Sequence, residues 1–227
     1  MYHNSNRMFH QYQFPSTTSS HDLYDVEVVT CPDTGALEYV HRRQFDIALP
    51  ASFLLQMYRD IIGYLLVQEN YTPVLSESNG PTTMHSTPLH VPDHIERLHV
   101  VTATFQDHPS RHVFVAQQVH RDPQYTSYLH NQRNRSLWYE VLALTPTSSR
   151  LRCLFMYSQL FDGCGDPVAF PDEAKCWGFY PSMDQSDGLQ RMRFRDQKRA
   201  AAARHLSVAQ ARVLAYVHGR HHAASTK

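Results

Sequence analysis

The sequence predicts an α+β protein: an antiparallel β-sheet built from hairpins, packed on one central core helix and followed by a basic helical C-terminal arm. Segments in which apolar and polar residues alternate flank short turn sequences, which is typical of β-hairpins. Residues 50–70 are apolar over most of a helical circumference, as expected of a helix in the core. Beyond about residue 188 the charge balance reverses, which marks the arm as a separate region.

The composition supports one fairly large domain with a tail. The chain has 227 residues, of which 42% are hydrophobic, and this is enough to bury a core. We divide the chain into a flexible polar leader (1–21), an α+β body (22–188) and the basic arm (189–227). The sequence contains neither a run of about 18 apolar residues nor an apolar export signal. We therefore expect a protein of the nucleus or cytoplasm that is not secreted and has no membrane partner.

The first part of the body predicts a hairpin followed by the core helix. Two alternating segments, 24–30 and 37–49, flank the turn residues 31–35. Pro50 suits the first turn of the helix, because the N–H that proline lacks would have no partner within the helix. The proline-rich residues 71–93 predict a long loop.

The sequence pattern of the rest of the body predicts two more hairpins, and that of the arm predicts helices. A strand that is apolar on both faces, as 151–160 is, belongs in the centre of a sheet. Alternation and capping residues predict the remaining elements: hairpins 98–106/111–119 and 137–145/151–160, an irregular stretch 161–188, and tail helices 188–204 and 208–218.

The charge pattern is the strongest functional signal. Residues 1–188 hold 12 basic and 20 acidic side chains, whereas residues 189–227 hold nine basic side chains and only Asp196 as an acid. A basic segment of this kind favours a polyanionic partner, and we expect DNA or RNA. Phe194 is a candidate for stacking on a base. The predicted phosphate contacts are Arg191, Arg193, Arg195, Lys198, Arg199 and Arg204.

Two other arrangements of the arm stay open: it docks on the acidic body of its own chain, or it is simply solvated. A second hypothesis is a protein-interaction or homo-oligomerisation module that uses the amphipathic tail helix. An aromatic segment around Gly178 is either a plug in the core or an exposed platform. The candidate partner-binding residues are Trp177, Phe179, Tyr180, Leu206, Val213, Leu214 and Val217.

Catalytic and metal motifs are weak. The sequence has no G-x-S-x-G, no P-loop and no G-x-G-x-x-G, and its four cysteines form no C-x-x-C pair. His90, His94 and Glu96 would suit zinc on a helix, but neighbouring prolines argue against one. We expect no enzyme activity, no catalytic residue, no metal and no cofactor. A metal- or thiol-dependent enzyme is the third hypothesis.

The aromatic segment also carries a family resemblance. The run Cys176-Trp177-Gly178-Phe179-Tyr180, followed by a basic helix, resembles the small nonstructural nucleoprotein of parvoviruses of the boca- and chapparvovirus type. The resemblance implies a nuclear viral nonstructural accessory protein that supports genome replication or viral RNA processing without catalysis of its own.

Overall fold

The computed structural model describes residues 5–58, 75–91, 94–120, 131–182, 184–201 and 215–216. Its strands form one eight-stranded antiparallel sheet in the order β1-β2-β8-β7-β6-β5-β4-β3. The strands are β1 (Leu23–Thr30), β2 (Leu37–Ile47), β3 (Leu75–Asn79), β4 (Thr82–Val91), β5 (His94–His108), β6 (Arg111–Gln118), β7 (Arg135–Thr145) and β8 (Ser148–Ser158). The described helices are α1 (Ser5–Gln11), α2 (51–58), α3 (Phe170–Cys176) and α4 (187–201).

The α+β class and the antiparallel sheet are confirmed. β1 with β2, β5 with β6 and β7 with β8 pair as the alternation predicts. The predicted turn after β1 is also present, with Gly35 at a φ of 68°, a conformation that glycine adopts without strain. β8 lies between β2 and β7 and is buried along most of its length. One of its faces is apolar, and the arginines on the other face are buried in ion pairs.

One side of the sheet, which we call the inner face, is covered by α2, α3 and α4. Its core includes Leu54 and Met57 of α2 and Phe194 of α4, all fully buried. Residues 51–58 of the predicted core helix are therefore helical and buried against the sheet. The rest of that predicted helix lies outside the described residues.

The opposite side, the outer face, is covered by the N-terminal residues. Phe9 of α1 is 1% exposed and packs in a second cluster with Val113, Trp138 and Leu154. The sequence predicts a flexible leader here, but the structure orders residues 5–21 over the sheet. A short helix can be held on the sheet by few apolar side chains of its own, because the outer face of the sheet supplies the other residues of the apolar cluster.

Two further regions differ from the prediction. The predicted loop 71–93 contains β3 and β4, and the irregular stretch 161–188 contains α3. Residues 76–80 are exposed, so β3 shows no alternation of apolar residues. The first tail helix is present as α4, and of the second only 215–216 are described, as helical. Within the described ranges, no helix is long and apolar enough to cross a membrane.

Candidate functional site

A row of five side chains crosses the inner face from β1 to β6. The register aligns, from one strand to the next, Tyr24, Arg43, Cys153, Tyr139 and Phe114. Residues directly opposite each other in a sheet share a face. Aromatic rings, a guanidinium and a thiol therefore lie side by side on the inner face.

Tyr58 of α2 covers this row. Its ring stacks on Tyr139 with the ring centroids 4.0 Å apart and the planes 22° from parallel. Burial raises the pKa of both phenols well above the usual value. Burial also raises the pKa of the Cys153 thiol to about 11. At neutral pH all three groups are therefore uncharged and keep their protons for hydrogen bonding.

Arg43 brings a positive charge into the row. Its guanidinium lies 5.3 Å from the ring centroid of Tyr24, and its charge partly offsets the effect of burial on the pKa of Cys153. The Nε atom of Arg43 is buried and has no hydrogen-bond partner among the described residues. A buried donor left in this state costs about 1–3 kcal/mol, which an acceptor placed beside it would recover. We call Tyr24, Arg43, Tyr58, Tyr139 and Cys153 the Arg43 site.

The Arg43 site lies next to a partly open part of the inner face. Phe45 and Ile47 follow Arg43 on the same face of β2, and both pack against the main core while remaining partly exposed. Leu49, just after β2, also packs against the main core and is partly exposed. Solvent therefore reaches apolar side chains beside the Arg43 site, whereas the centre of the sheet is sealed.

A second polar cluster ties α3 to the sheet through Glu173. The Oε1 atom accepts hydrogen bonds from Tyr39 Oη (2.5 Å), Arg133 Nη1 (2.7 Å) and Trp177 Nε1 (2.8 Å). The Oε2 atom accepts one from the Leu160 N–H at 3.0 Å. Burial alone would raise the pKa of Glu173, but the charge of Arg133 and these hydrogen bonds lower it. Glu173 is therefore an ionised and fully used structural acceptor.

Lys198 of α4 inserts beside this cluster into an aromatic cage. Its Nζ lies 3.1 Å from the ring centroid of Trp177, 5.1 Å from that of Tyr39 and 5.7 Å from that of Tyr157. The residue is 8% exposed. Burial, together with the smaller effect of the Arg133 charge, lowers the pKa of its ammonium to about 7 against the opposing effect of Glu173. Ring faces attract a cation, and this attraction offsets part of the cost of burying the ammonium.

Several of the predicted nucleic-acid contacts on α4 face inward or pair locally. Phe194 is fully buried, with its ring edge-on to Tyr39 and Phe170, so it does not offer a face to a base. Arg191 donates to Asp187 at 2.8 Å and lies 4.6 Å from the Phe170 ring centroid.

Three other arginines of the arm are described. Arg195 donates to Thr30 of β1 at 2.7 Å. Arg193 and Arg199 are exposed, and Arg199 lies 3.8 Å from Asp196. A surface groove of about 490 Å³ separates this part of α4 from β1. Arg204 lies outside the described residues.

The aromatic segment is divided between core and surface. Trp177 and Phe179 pack against the main core, whereas Tyr180 is 77% exposed. The plug interpretation therefore describes the first two residues. The remaining candidate partner-binding residues, Leu206, Val213, Leu214 and Val217, lie outside the described residues. Tyr216, which is described, places its ring edge-on to Phe53, with the centroids 5.8 Å apart.

Sequence reasoning did not find the Arg43 site or the Glu173 cluster. One signal for the first was present: on β2, Tyr39, His41 and Arg43 share the parity of the apolar Leu37 and Phe45. Polar residues at positions that alternation assigns to the core indicate either a hydrogen-bonded core or a binding site. Glu173 and Arg133 carry no comparable signal, since they lie in segments without periodicity.

The metal and thiol candidates gain no support from the described residues. No group of three or more His, Cys, Asp or Glu side chains lies close enough to hold a metal ion in that part of the chain. The four cysteines are free thiols. Residues 90 and 94 belong to β4 and β5 rather than to a helix. The expectation of no metal or cofactor stays a prediction.

Comparison with known proteins finds similarity in solved structures alone. No family model and no curated protein matches the chain. Human STARD10 has a TM-score of 0.44 at 10% identity, covering 74% of this chain and 68% of that one. The Zhui aromatase/cyclase from Streptomyces sp. R1128 has a TM-score of 0.44 at 14% identity, covering 76% and 88%. The human StarD13 lipid transfer and protein localization domain has a TM-score of 0.41 at 12% identity, covering 60% and 75%.

The functional prediction is corrected by the position of α4. The names of the StarD13 domain and of Zhui refer to lipid transfer, protein localization and an aromatase/cyclase, and not to a viral nonstructural or nucleic-acid-binding protein. The helix assigned to phosphate contact is docked on its own body through Phe194 and Lys198. DNA or RNA binding through this helix is therefore wrong as a function and as a partner. The parvoviral resemblance itself stays a prediction.

Proposed function

We propose that this chain is a non-enzymatic domain that binds a small amphipathic molecule on the inner face of its sheet. The ligand would carry an aromatic or other flat apolar part and one anionic or strongly accepting group. The observation that carries the proposal is the buried Nε of Arg43, which has no acceptor among the described residues. A ligand acceptor at this atom would make a charge-assisted hydrogen bond, which is stronger than a neutral one.

The surroundings of Arg43 fit the apolar part of such a ligand. The stacked and buried rings of Tyr58 and Tyr139 form the inner wall of the site, and Phe45 and Ile47 offer partly exposed apolar surface beside it. Binding sites for small molecules combine mostly apolar walls with a few polar groups that fix orientation. The Arg43 site has this composition, because its phenols and its thiol are neutral donors around one cation.

The chemistry of the site favours binding over catalysis. A thiol attacks as the thiolate, and the Cys153 pKa of about 11 leaves almost none of that form at neutral pH. The tyrosines are likewise held neutral by burial. The groups in contact with the ligand would therefore donate hydrogen bonds without exchanging protons during a reaction.

Fluorescence titration with 1-anilinonaphthalene-8-sulfonate tests this proposal, since the probe joins flat rings to one sulfonate. We expect saturable binding to the folded protein and a loss of roughly 10- to 100-fold in affinity for Arg43→Met, the equivalent of about 1.5–3 kcal/mol. Arg193→Met removes an exposed arginine of α4 and is the matched control. Each variant must first show a cooperative thermal transition, because a loosened core binds the same probe nonspecifically. Absence of binding, or equal affinity in Arg43→Met, would overturn the proposal.

A further inference from the structure

A row of side chains on the outer face holds the main chain of residues 12–21. Five carbonyl groups of this segment accept hydrogen bonds from β2 and β8. Arg42 binds the carbonyl of Tyr12 at 3.1 Å, and Arg152 binds that of Pro15 at 3.1 Å. The other three bonds are Arg150 to Thr17 (2.7 Å), Gln44 to Ser19 (3.1 Å) and Gln44 to His21 (3.1 Å).

The donors are held in place by the sheet and not by the segment they bind. Arg150 makes a two-pronged ion pair with Asp46 at 2.7 and 2.8 Å. Arg152 pairs with the fully buried Glu140 and donates to Gln44 at 3.1 Å. A binding surface whose side chains are already oriented loses less entropy when it takes a ligand. The outer face therefore has the properties of a preformed receptor.

Two aromatic side chains give the bound segment its anchor. Phe9 and Phe14 meet edge to face with centroids 4.8 Å apart. They enclose the Arg152 guanidinium, which lies 4.6 Å from the first centroid and 5.3 Å from the second. Phe9 is also buried among the apolar residues of the outer face. Main-chain bonds supply affinity without regard to sequence, and the aromatic pair supplies selectivity.

We infer that the outer face is a peptide-binding site, filled here by residues 5–21 of the same chain and able to bind that segment from a second copy. The ligand is a short helix followed by irregular chain with turns at residues 12–13 and 17–18, and its phenylalanines are five residues apart. The segment is followed directly by β1, so a cut just before β1 separates it from the body. This site is separate from the Arg43 site, which lies on the other face.

Cleavage of the connection in the otherwise complete chain tests the inference. A site-specific protease sequence inserted between Ser20 and His21, both exposed, allows the folded protein to be cut. We expect the released segment to stay bound during size-exclusion chromatography at micromolar concentration. A fluorescein-labelled peptide of residues 5–20 should then displace it, seen as a rise in anisotropy.

Two matched controls separate recognition from nonspecific adhesion. A labelled peptide with Phe9→Ala and Phe14→Ala should bind at least about tenfold more weakly, since each aromatic ring contributes through both burial and its contact with Arg152. Replacement of the exposed His10 by Ala should change little. The inference is overturned if the wild-type peptide does not bind the cut protein, or if both peptides bind equally. It is also overturned if the body loses its cooperative unfolding once the segment leaves, because the segment would then be part of the core.

Discussion

On β2 and β8, neighbouring residues point to opposite sides of the sheet, and the two sides are covered by different means. On the inner face Tyr39, Cys153 and Tyr157 meet side chains of helices, and ring stacking and apolar burial dominate. On the outer face Arg42 and Arg152 meet carboxylates and main-chain carbonyls. The comparison teaches that an apolar face needs the side chains of helices above it. A face that carries arginines accepts an irregular segment, because the main-chain carbonyls of that segment accept hydrogen bonds from the guanidinium groups.

The largest effect should come from breaking the inner-face cluster at Glu173. Glu173→Ala leaves the Arg133 guanidinium buried without its carboxylate, and loss of one partner of a buried pair costs about 3–5 kcal/mol. Urea denaturation should show this as a lower free energy of unfolding. Asp172→Ala, at the exposed neighbouring position of α3, should cost less than about 1 kcal/mol. Equal losses in the two variants would show that Glu173 is not the hub of this cluster.

The corresponding acid of the outer face, Glu140, should matter less. It is fully buried between Arg111 and Arg152. Water reaches these arginines once the covering segment loosens, so we expect Glu140→Ala to cost about 1.5–3 kcal/mol in the same assay. Glu77→Ala on the exposed edge strand β3 is the control, with little expected change. A cost above that of Glu173→Ala would mean that the outer face is the more rigid of the two.

Lys198 should make the free energy of unfolding depend on pH. Because its pKa in the folded state is about 7, below the usual value of 10.5, the unfolded chain holds an extra proton between these two pH values. Wild-type stability should therefore rise over that range relative to Lys198→Met. We expect the variant to be more stable by about 1–2 kcal/mol at pH 6 and to lose that advantage by pH 9.5. Urea midpoints at both pH values measure this, with the exposed Arg199→Met as control. Parallel curves for Lys198→Met and wild type would contradict the expectation.

The smallest effect should come from the partly exposed pair between Asp46 and Arg150. The hydrogen bond from Arg150 lowers the pKa of Asp46, so the pair stabilises the fold above the ordinary carboxyl pKa and loses this effect as the pH falls below it. Asp46→Asn should cost less than about 1 kcal/mol at pH 7. Thermal melts at pH 7 and pH 3 should show this difference shrinking in acid. If the difference between Asp46→Asn and wild type is the same at pH 3 as at pH 7, the stabilisation comes from hydrogen bonding and not from the charge of Asp46.

The sequence predicts best where one face of an element is buried and the other is not. The hairpins β1–β2, β5–β6 and β7–β8 follow from alternation, and α4 follows from its capping residues. The strands β3 and β4 do not, because β3 is exposed and prolines interrupt the pattern around it. α1 and α3 are seven residues each, too short to show a helical period.

The candidate sites were less predictable than the strands. Glu173 and Arg133 lie 40 residues apart in sequence, and neither has a pattern around it. The Arg43 site joins residues of four strands and a helix, so it exists only once the register of the sheet is set.

The amino-acid sequence by itself determined the antiparallel sheet, the helix α4 at the start of the predicted basic arm and the segregation of charge. It left open whether that arm would point outward to a polyanion or inward to the body. The tertiary structure decided this, because the pocket that buries Phe194 and the cage that holds Lys198 are built from β2, β8 and α3. Local sequence specifies periodicity and charge, but a contact between distant segments depends on how the whole chain packs. The basic composition of α4 therefore could not reveal that its buried side chains serve the fold.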